Sequence, residues 1–194
     1  MASRLAPDAV LAYHTALEVH GYAQSLFERL FYLTTSKTKP VVFRGRRFLP
    51  VMPSATLRRK KKAFVFCTEV ERRGLPCRVT TVERTLVDVL DRPDLTGGLE
   101  EVWRSLAGVP MVDLETVVEY VRLCGWGTLA AKVGFFLEQH RESLGVSPAI
   151  LERLHRMGPQ QPHYLDRRLG GRMAKGWNLI VPAPVLAGEW ERVQ

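Results

Sequence analysis

The sequence predicts an α+β fold, a mixed α/β arrangement in which a small, mostly antiparallel sheet packs against four to five helices. Short β-branched and aromatic runs, separated by Gly, Pro and Ser, lie between residues 30 and 80. Helical periodicity dominates after residue 80, and one last strand-like run follows near the C-terminus. Because strands and helices are segregated along the chain, a doubly wound parallel sheet is not expected.

The first 80 residues are expected to form one helix and the strands of the sheet. Asp8 is expected to be the N-cap of that first helix, and Gly21 is expected to end it. The strand-like runs that follow are LFYLTT, VVFRG, FLPVM and AFVFCTEV. In that context the basic residues of this region are expected on strand faces and loops, not on a helix. The closing run WNLIVP (Trp177–Pro182) is expected to join the same sheet.

The helical half has clear start and stop signals. Thr80 and Glu83 have the spacing of a capping box, and Pro93 should stop the helix that begins there. Further helices are expected from about 99 to 106, 113 to 125, 128 to 141 and 147 to 158. Asp113 is a strong N-cap candidate, as is Ser147, which proline follows.

Length and composition favour a single domain over residues 1–194, with a possible subdivision at residues 80 and 81. No run of about 18 apolar residues occurs, so neither a spanning helix nor a membrane partner is expected. The three cysteines are Cys67, Cys77 and Cys124, an odd number without zinc spacing. They favour buried free thiols and a cytoplasmic location, although a Cys67–Cys77 disulfide between neighbouring strands is an alternative.

The positive charge of the chain is concentrated in one segment. Ser36–Lys62, the basic segment, holds ten Lys and Arg residues and no carboxylate, whereas the whole chain carries a net charge of +8. The candidate binding residues in it are Arg44, Arg46, Arg47, Arg58, Arg59, Lys60, Lys61 and Lys62. Three interpretations stay open: a solvated strand edge, contact with a nucleic-acid backbone, or contact with an acidic protein surface.

The sequence has none of the common catalytic signatures. It lacks GxxxxGK[ST], GxGxxG and HExxH, and no Asp or Glu precedes a Lys by two residues as in many metal-dependent nucleases. The five histidines show no ligand spacing, so His14 and His20 are expected to pack or cap. Neither a metal nor a cofactor is expected, and the chain is not expected to be an enzyme.

Three blocks carry a family resemblance. They are AYHTALEVHGYA (Ala12–Ala23), VTTVERTLVDVLDRP followed by GGLEEV (Val79–Val102), and WNLIVP with a preceding YLD and Gly/Arg-rich loop. In this order they resemble the C-terminal domain of the AbiEi family, the antitoxin half of abortive-infection (type IV) toxin–antitoxin systems. The spacing of the helices between the blocks is similar, and the resemblance covers nearly the full chain.

The resemblance implies a cytoplasmic phage-defence antitoxin that neutralises a cognate nucleotidyltransferase toxin of the AbiEii type without catalysis of its own. Many members also carry an N-terminal winged helix-turn-helix that binds their own promoter. This sequence opens at the first helix of the C-terminal domain, so a winged helix-turn-helix is expected to be absent. The alternatives are a nucleic-acid-binding transcriptional regulator that uses the basic segment, and a divergent endonuclease-like enzyme.

The best-matched block contains Arg84, Thr85 and Asp88. Arg84 and Asp88 are four residues apart, a spacing typical of an ion pair on a helix surface. Two roles are open for this block. Either its residues contact the partner, or Arg84 braces the helix against the sheet by donating to a backbone carbonyl.

Overall fold

The structure is a computed structural model that describes residues 5–72 and 74–190. It confirms a mixed α+β fold. The strands are β1 (Val10–Leu11), β2 (Arg29–Leu33), β3 (Val41–Phe43), β4 (Arg46–Val51), β5 (Cys67–Arg72), β6 (Leu75–Thr80), β7 (His163–Tyr164), β8 (Arg172–Ala174) and β9 (Leu179–Val181). The helices are α1 (His14–His20), α2 (Ala55–Arg59), α3 (Val82–Asp91), α4 (Leu99–Ala107), α5 (Leu114–Cys124), α6 (Gly127–Gln139), α7 (Pro148–Met157) and α8 (Ala183–Leu186).

The main sheet has six strands in the order β3-β4-β2-β1-β6-β5. The hairpins β3–β4 and β5–β6 are antiparallel, as is the pair β1–β2. The pairs β2–β4 and β1–β6 are parallel, so the expected antiparallel character holds for three of the five contacts. β3 and β5 are the two edges of the sheet.

The first predicted helix is shorter than expected, because its start is a strand. β1 occupies the middle of the sheet, and α1 begins only at His14. Asp8 is not an N-cap: its carboxylate accepts hydrogen bonds from the side chains of Thr34, Thr35 and Ser36 and from the Thr35 N–H. Gly21 ends α1 with a left-handed φ of 83°, as the sequence predicts.

The closing strand does not join the main sheet. β9 lies at the centre of a second, three-stranded sheet, parallel to β7 and antiparallel to β8. Trp177 explains this position, because its indole N–H donates to Glu138 Oε2 on α6 at 2.7 Å. The same ring stacks on His155 of α7, with 3.6 Å between ring centroids. The closing strand is therefore held against the helical half.

The remaining helices begin and end close to the predicted residues, although the Ser147 side chain accepts no capping hydrogen bond at the start of α7. Asp113 caps α5 by accepting from the N–H groups of Glu115 and Thr116, and Gly125 ends it with a left-handed φ. The capping-box prediction was wrong by one residue, since Thr81 and not Thr80 accepts from the Arg84 N–H. α3 lies in the middle of the helical half and contacts α1, α4, α5 and α6. Its side chains from Arg84 to Leu90 are all buried, so α3 is the central helix of the core.

The contact between α6 and Trp177 gives a stability prediction. A Cβ added at Gly134 of α6 would overlap the indole ring of Trp177. Although Ala is favoured over Gly in a helix by about 1 kcal/mol, we expect Gly134→Ala to lower the free energy of unfolding by ~1–3 kcal/mol through overpacking. Urea denaturation measures it. Gly176→Ala is the matched control, because a Cβ there meets nothing within 4 Å. Equal stability of the two variants would contradict the docking of Trp177.

Candidate functional site

Arg84 lies at the centre of a buried polar network. Its side chain is 1% exposed, and its Nε donates to Asp88 Oδ2 at 3.1 Å. Nη1 donates to the carbonyl oxygens of Ala63 and Val65, at 3.0 and 2.7 Å. The Tyr120 hydroxyl of α5 donates to Asp88 Oδ1 at 2.7 Å. The pair is therefore a brace inside the protein and not a helix-surface ion pair.

The electrostatics of this network keep it closed. Burial disfavours the charged form of Arg84, but interactions with Asp88, Tyr120 and Cys67 together outweigh that effect, so the net pKa of Arg84 is raised. Burial raises the pKa of Asp88, an effect that Arg84 and the Tyr120 hydroxyl oppose. Thr85 is also satisfied internally, since its hydroxyl donates to the Thr81 carbonyl at 2.7 Å. In this arrangement Arg84, Thr85 and Asp88 hold elements together and present no open face to a partner.

The basic segment forms two separate surfaces. Arg44, Arg46 and Arg47 lie at the β3–β4 turn and the start of β4, and are called the hairpin cluster. Residues Arg58–Lys62 lie beyond the other end of β4, in α2 and the turn that follows it, and are called the helix cluster. β4 has six residues, which span about 20 Å at roughly 3.3 Å per residue. The basic segment of the sequence therefore does not form one continuous surface.

The helix cluster is anchored at the end of α5. Lys60 Nζ donates to the Leu123 carbonyl at 2.8 Å, where the unpaired carbonyls of a helix C-terminus attract cations. Arg58 Nε donates to the Pro53 carbonyl at 3.0 Å. Arg58 and Arg59 belong to α2, so the expectation that no basic residue of this region lies on a helix was wrong. A one-turn helix forms here because Ser54 caps it by accepting from the Leu57 N–H.

The hairpin cluster borders a cavity of about 520 Å³. Arg29 and Arg47 are register partners on β2 and β4, and both line the cavity beside Val42, Leu26 and Glu28. In the part of the chain that the structure describes, neither Arg29 nor Arg47 has a carboxylate within ion-pair distance. Arg46 differs, because its Nη1 lies 3.3 Å from Glu18 Oε2. Two adjacent guanidinium groups therefore face the cavity without a paired acid.

Apolar side chains next to the hairpin cluster are exposed. Leu26 is 80% exposed, Val42 is 68% exposed and Phe43 is 43% exposed. The Arg44 guanidinium carbon lies 5.4 Å from the centre of the Phe43 ring, within range of a cation–π contact. Phe43 therefore lies at the surface, whereas Phe48 of the same hairpin is buried.

The wall of this cavity is fixed by a half-buried acid that the sequence did not single out. Glu101 of α4 accepts from the N–H groups of Gln24 and Ser25, at 3.1 and 3.0 Å, and from the Ser25 hydroxyl. Burial alone would raise the pKa of Glu101, but the hydrogen bonds from Ser25 and the contact with His14 together outweigh it, and the net pKa is lowered. Glu101 thus holds the loop that carries Leu26 and Phe27.

His14 completes the attachment of this loop. Its ring is fully buried, stacks on Phe27 at 3.9 Å, and lies 3.3 Å from both Glu18 and Glu101. His20 Nε2 lies 2.7 Å from the Thr80 carbonyl oxygen. Both histidines therefore pack and bind internal groups, as expected. Glu18 is one helical turn from His14, whereas Glu101 is 87 residues away, so the sequence alone does not identify Glu101 as a partner.

A second cavity, of about 570 Å³, lies between the end of α3 and β7. Lys132, Asp91 and Asp166 line it, and burial lowers the pKa of Lys132 and raises that of Asp91. Asp166 is paired with Arg168 at 2.7 Å. Among the described residues no group of three or more His, Cys, Asp or Glu side chains is arranged to hold a metal ion. The described cysteines are free, and no described helix has the length and apolarity needed to cross a membrane.

The comparisons with known proteins concern the fold. No protein-family model matches the chain, and no curated protein matches it. The crystal structure of the Rv2827c protein from Mycobacterium tuberculosis is similar, with a TM-score of 0.51 and 18% sequence identity. The match covers 96% of this chain and 69% of that chain. At this level of identity the likeness defines a shared α+β architecture.

The Arg84 network predicts a large stability effect. Arg84→Ala would leave Asp88 buried without its cation and would free two backbone carbonyls. We expect the free energy of unfolding to fall by ~3–5 kcal/mol, which is typical of a broken buried ion pair. Chemical denaturation measures it. Arg104→Ala is the matched control, because its pair with Glu100 is half-exposed and such pairs contribute roughly 0–1 kcal/mol. Similar losses in both variants would contradict the brace.

Glu101 predicts an acid-dependent stability. Because its folded pKa lies below the ordinary value of 4.5, the stability that it contributes is present above that pH and is lost as the pH falls further. In Glu101→Gln the free energy of unfolding should be lower than in the wild type at neutral pH. It should also decline less steeply between about pH 5 and pH 3. Parallel curves of stability against pH would show that Glu101 does not hold the loop.

Proposed function

We propose that this protein is a cytoplasmic antitoxin of the AbiE type, which neutralises a nucleotidyltransferase toxin by binding it and performs no catalysis of its own. The identity rests on the three ordered blocks that resemble the AbiEi C-terminal domain. The first two blocks are in contact, since His20 of the first block binds the Thr80 carbonyl of the second. The mode of action rests on the exposed hairpin cluster.

The observation that carries this proposal is the set of exposed cations without paired acids at the hairpin. Arg44, Arg47 and neighbouring Arg29 are exposed, and among the described residues none of them forms an ion pair. Phe43 and Val42 add exposed apolar area at the same place. Protein interfaces commonly combine Arg and aromatic contacts of this kind. An acidic surface on the toxin would be attracted to the hairpin cluster and guided into register.

A second candidate function is nucleic-acid binding, and the helix cluster favours it. Five consecutive cations, Arg58 to Lys62, lie in α2 and in the turn that follows it. Such a run neutralises phosphates and releases counterions, which gives binding a steep dependence on salt. The two functions are compatible, because the clusters lie at opposite ends of β4.

Co-expression tests the antitoxin proposal. A nucleotidyltransferase toxin encoded beside the gene should arrest growth when it is expressed alone, and this chain should restore growth. Arg44→Gln/Arg47→Gln should weaken the rescue, because the double variant removes two cations from the hairpin. Arg59→Gln/Lys61→Gln is the matched control, since it removes the same charge from the helix cluster. Failure of the wild-type chain to restore growth would reject the proposal.

Gel shifts with the upstream DNA at two salt concentrations test the second function. Binding should fall steeply as salt rises, and each cation removed should lower the log–log salt slope by about one. Here the expected order is reversed: Arg59→Gln/Lys61→Gln should reduce the slope more than the hairpin variant does. Absence of a shift at low salt would exclude DNA binding by this chain.

A further inference from the structure

The two edges of the main sheet are protected differently. β5 carries Glu69, Glu71 and Arg72 as exposed residues, and charges of this kind discourage pairing with another strand. β3 consists of Val41, Val42 and Phe43, all exposed and all apolar. An exposed apolar edge strand is a template for strand addition. Of the two edge strands, only β5 carries charged side chains that discourage pairing with another strand.

The hairpin turn fixes which backbone groups of β3 face solvent. Arg44 and Gly45 have φ angles of 48° and 75°, the signature of a two-residue type I′ turn. Phe43 and Arg46 flank the turn as partners, so they form the hydrogen-bonded pair nearest to it. Because the direction of these groups alternates along a strand, the N–H and C=O of Val42 point away from β4. They are ready to pair with an incoming strand.

The side chains on the Val42 face provide charge complementarity. Val42 is the register partner of Arg47, and Arg47 is the register partner of Arg29. The three residues therefore form a row across β3, β4 and β2 on one face of the sheet. A residue placed opposite Val42 on an added strand would lie on this face, with both guanidinium groups behind Val42. On the other face of the sheet, Val41 and Phe43 would contact the two residues that flank this position in the added strand.

We propose that β3 receives an extended segment of a protein partner, with a carboxylate opposite Val42 and apolar residues on either side of it. The Val42 backbone groups would hold the strand, Arg47 would bind the carboxylate, and Arg29 would add positive charge behind it. This inference rests on the proposed function in one respect, namely that the partner is a protein. It names the surface of the antitoxin that binds and the apolar–acidic–apolar pattern that it recognises.

A peptide strand fits this edge better than a nucleic acid does. A nucleic acid has no alternating amide groups to pair with Val42, and Glu28 in the cavity lining opposes a second phosphate beside the arginines. A single carboxylate between two apolar side chains matches both the short apolar edge and the Arg29–Arg47 pair. Binding of a nucleic acid at this edge is the alternative that the experiment below can detect.

Fluorescence polarisation with a blocked, labelled peptide, Thr-Val-Glu-Val-Thr, tests the proposal on the full chain. The peptide should bind, and the same peptide with Lys in place of Glu should bind about tenfold more weakly or worse, as expected for a lost charge-assisted contact. Arg29→Gln/Arg47→Gln should cause a similar loss. Val42→Pro should abolish binding, because proline removes the outward N–H while Arg29 and Arg47 remain.

The controls separate the surface from general charge. Arg59→Gln/Lys61→Gln changes the net charge by the same amount and should leave peptide binding unchanged. An unaltered melting temperature of each variant shows that the substitution has not disturbed the fold. No binding by the Glu peptide, equal binding of the Glu and Lys peptides, or full binding by Val42→Pro would each overturn the proposal. Displacement of the peptide by oligothymidylate but not by unlabelled peptide would assign the site to nucleic acid.

The same variants in the co-expression assay distinguish this inference from the proposed function. Wild-type rescue that persists in Val42→Pro and Arg29→Gln/Arg47→Gln would leave the antitoxin function standing and reject this surface. Peptide binding with the expected pattern, but no wild-type rescue, would support the surface and reject the antitoxin function.

Discussion

The buried ion pair of Arg84 and Asp88 fixes the positions of the elements around it. Its hydrogen bonds reach the Ala63 and Val65 carbonyls on one side and Tyr120 on the other. A buried charge is tolerated only when partners surround it, so α3, α5 and the chain from residue 63 to 65 must keep one relative arrangement. Ala63 directly follows Lys62, so the hydrogen bond from Arg84 to Ala63 also fixes the position of the helix cluster on the surface.

Internal acids position the other cationic surface in a similar way. Glu101 holds the loop that carries Leu26, and Glu18 contacts Arg46 of the hairpin. These acids are half-buried and committed to internal partners. The exposed cations nearby therefore have no carboxylate of their own to bind. Glu18 and Glu101 serve internal attachment, and Arg29, Arg44 and Arg47 form no ion pair with a described residue, so they are available to an external anion.

The split of the basic segment changes how its charge acts. A continuous patch would favour a polyanion that follows it, whereas two clusters at opposite ends of β4 present different chemistry. The hairpin cluster combines guanidinium groups with an apolar edge strand, which suits a peptide. The helix cluster is a run of cations next to the end of α5, which suits phosphates. One chain thereby offers two surfaces that binding experiments can separate by matched pairs of variants.

The sequence alone determined the fold class and most helix boundaries, because caps, glycine ends and apolar periodicity act within a few residues. Asp113 and Gly125 bound α5 as predicted, and Pro93 follows the end of α3. Only the tertiary structure decided that β9 leaves the main sheet, that Arg84 is buried and that Glu101 holds a distant loop. Each of these depends on a partner far away in the chain, and local patterns carry no information about which distant groups satisfy a strand edge or a buried charge.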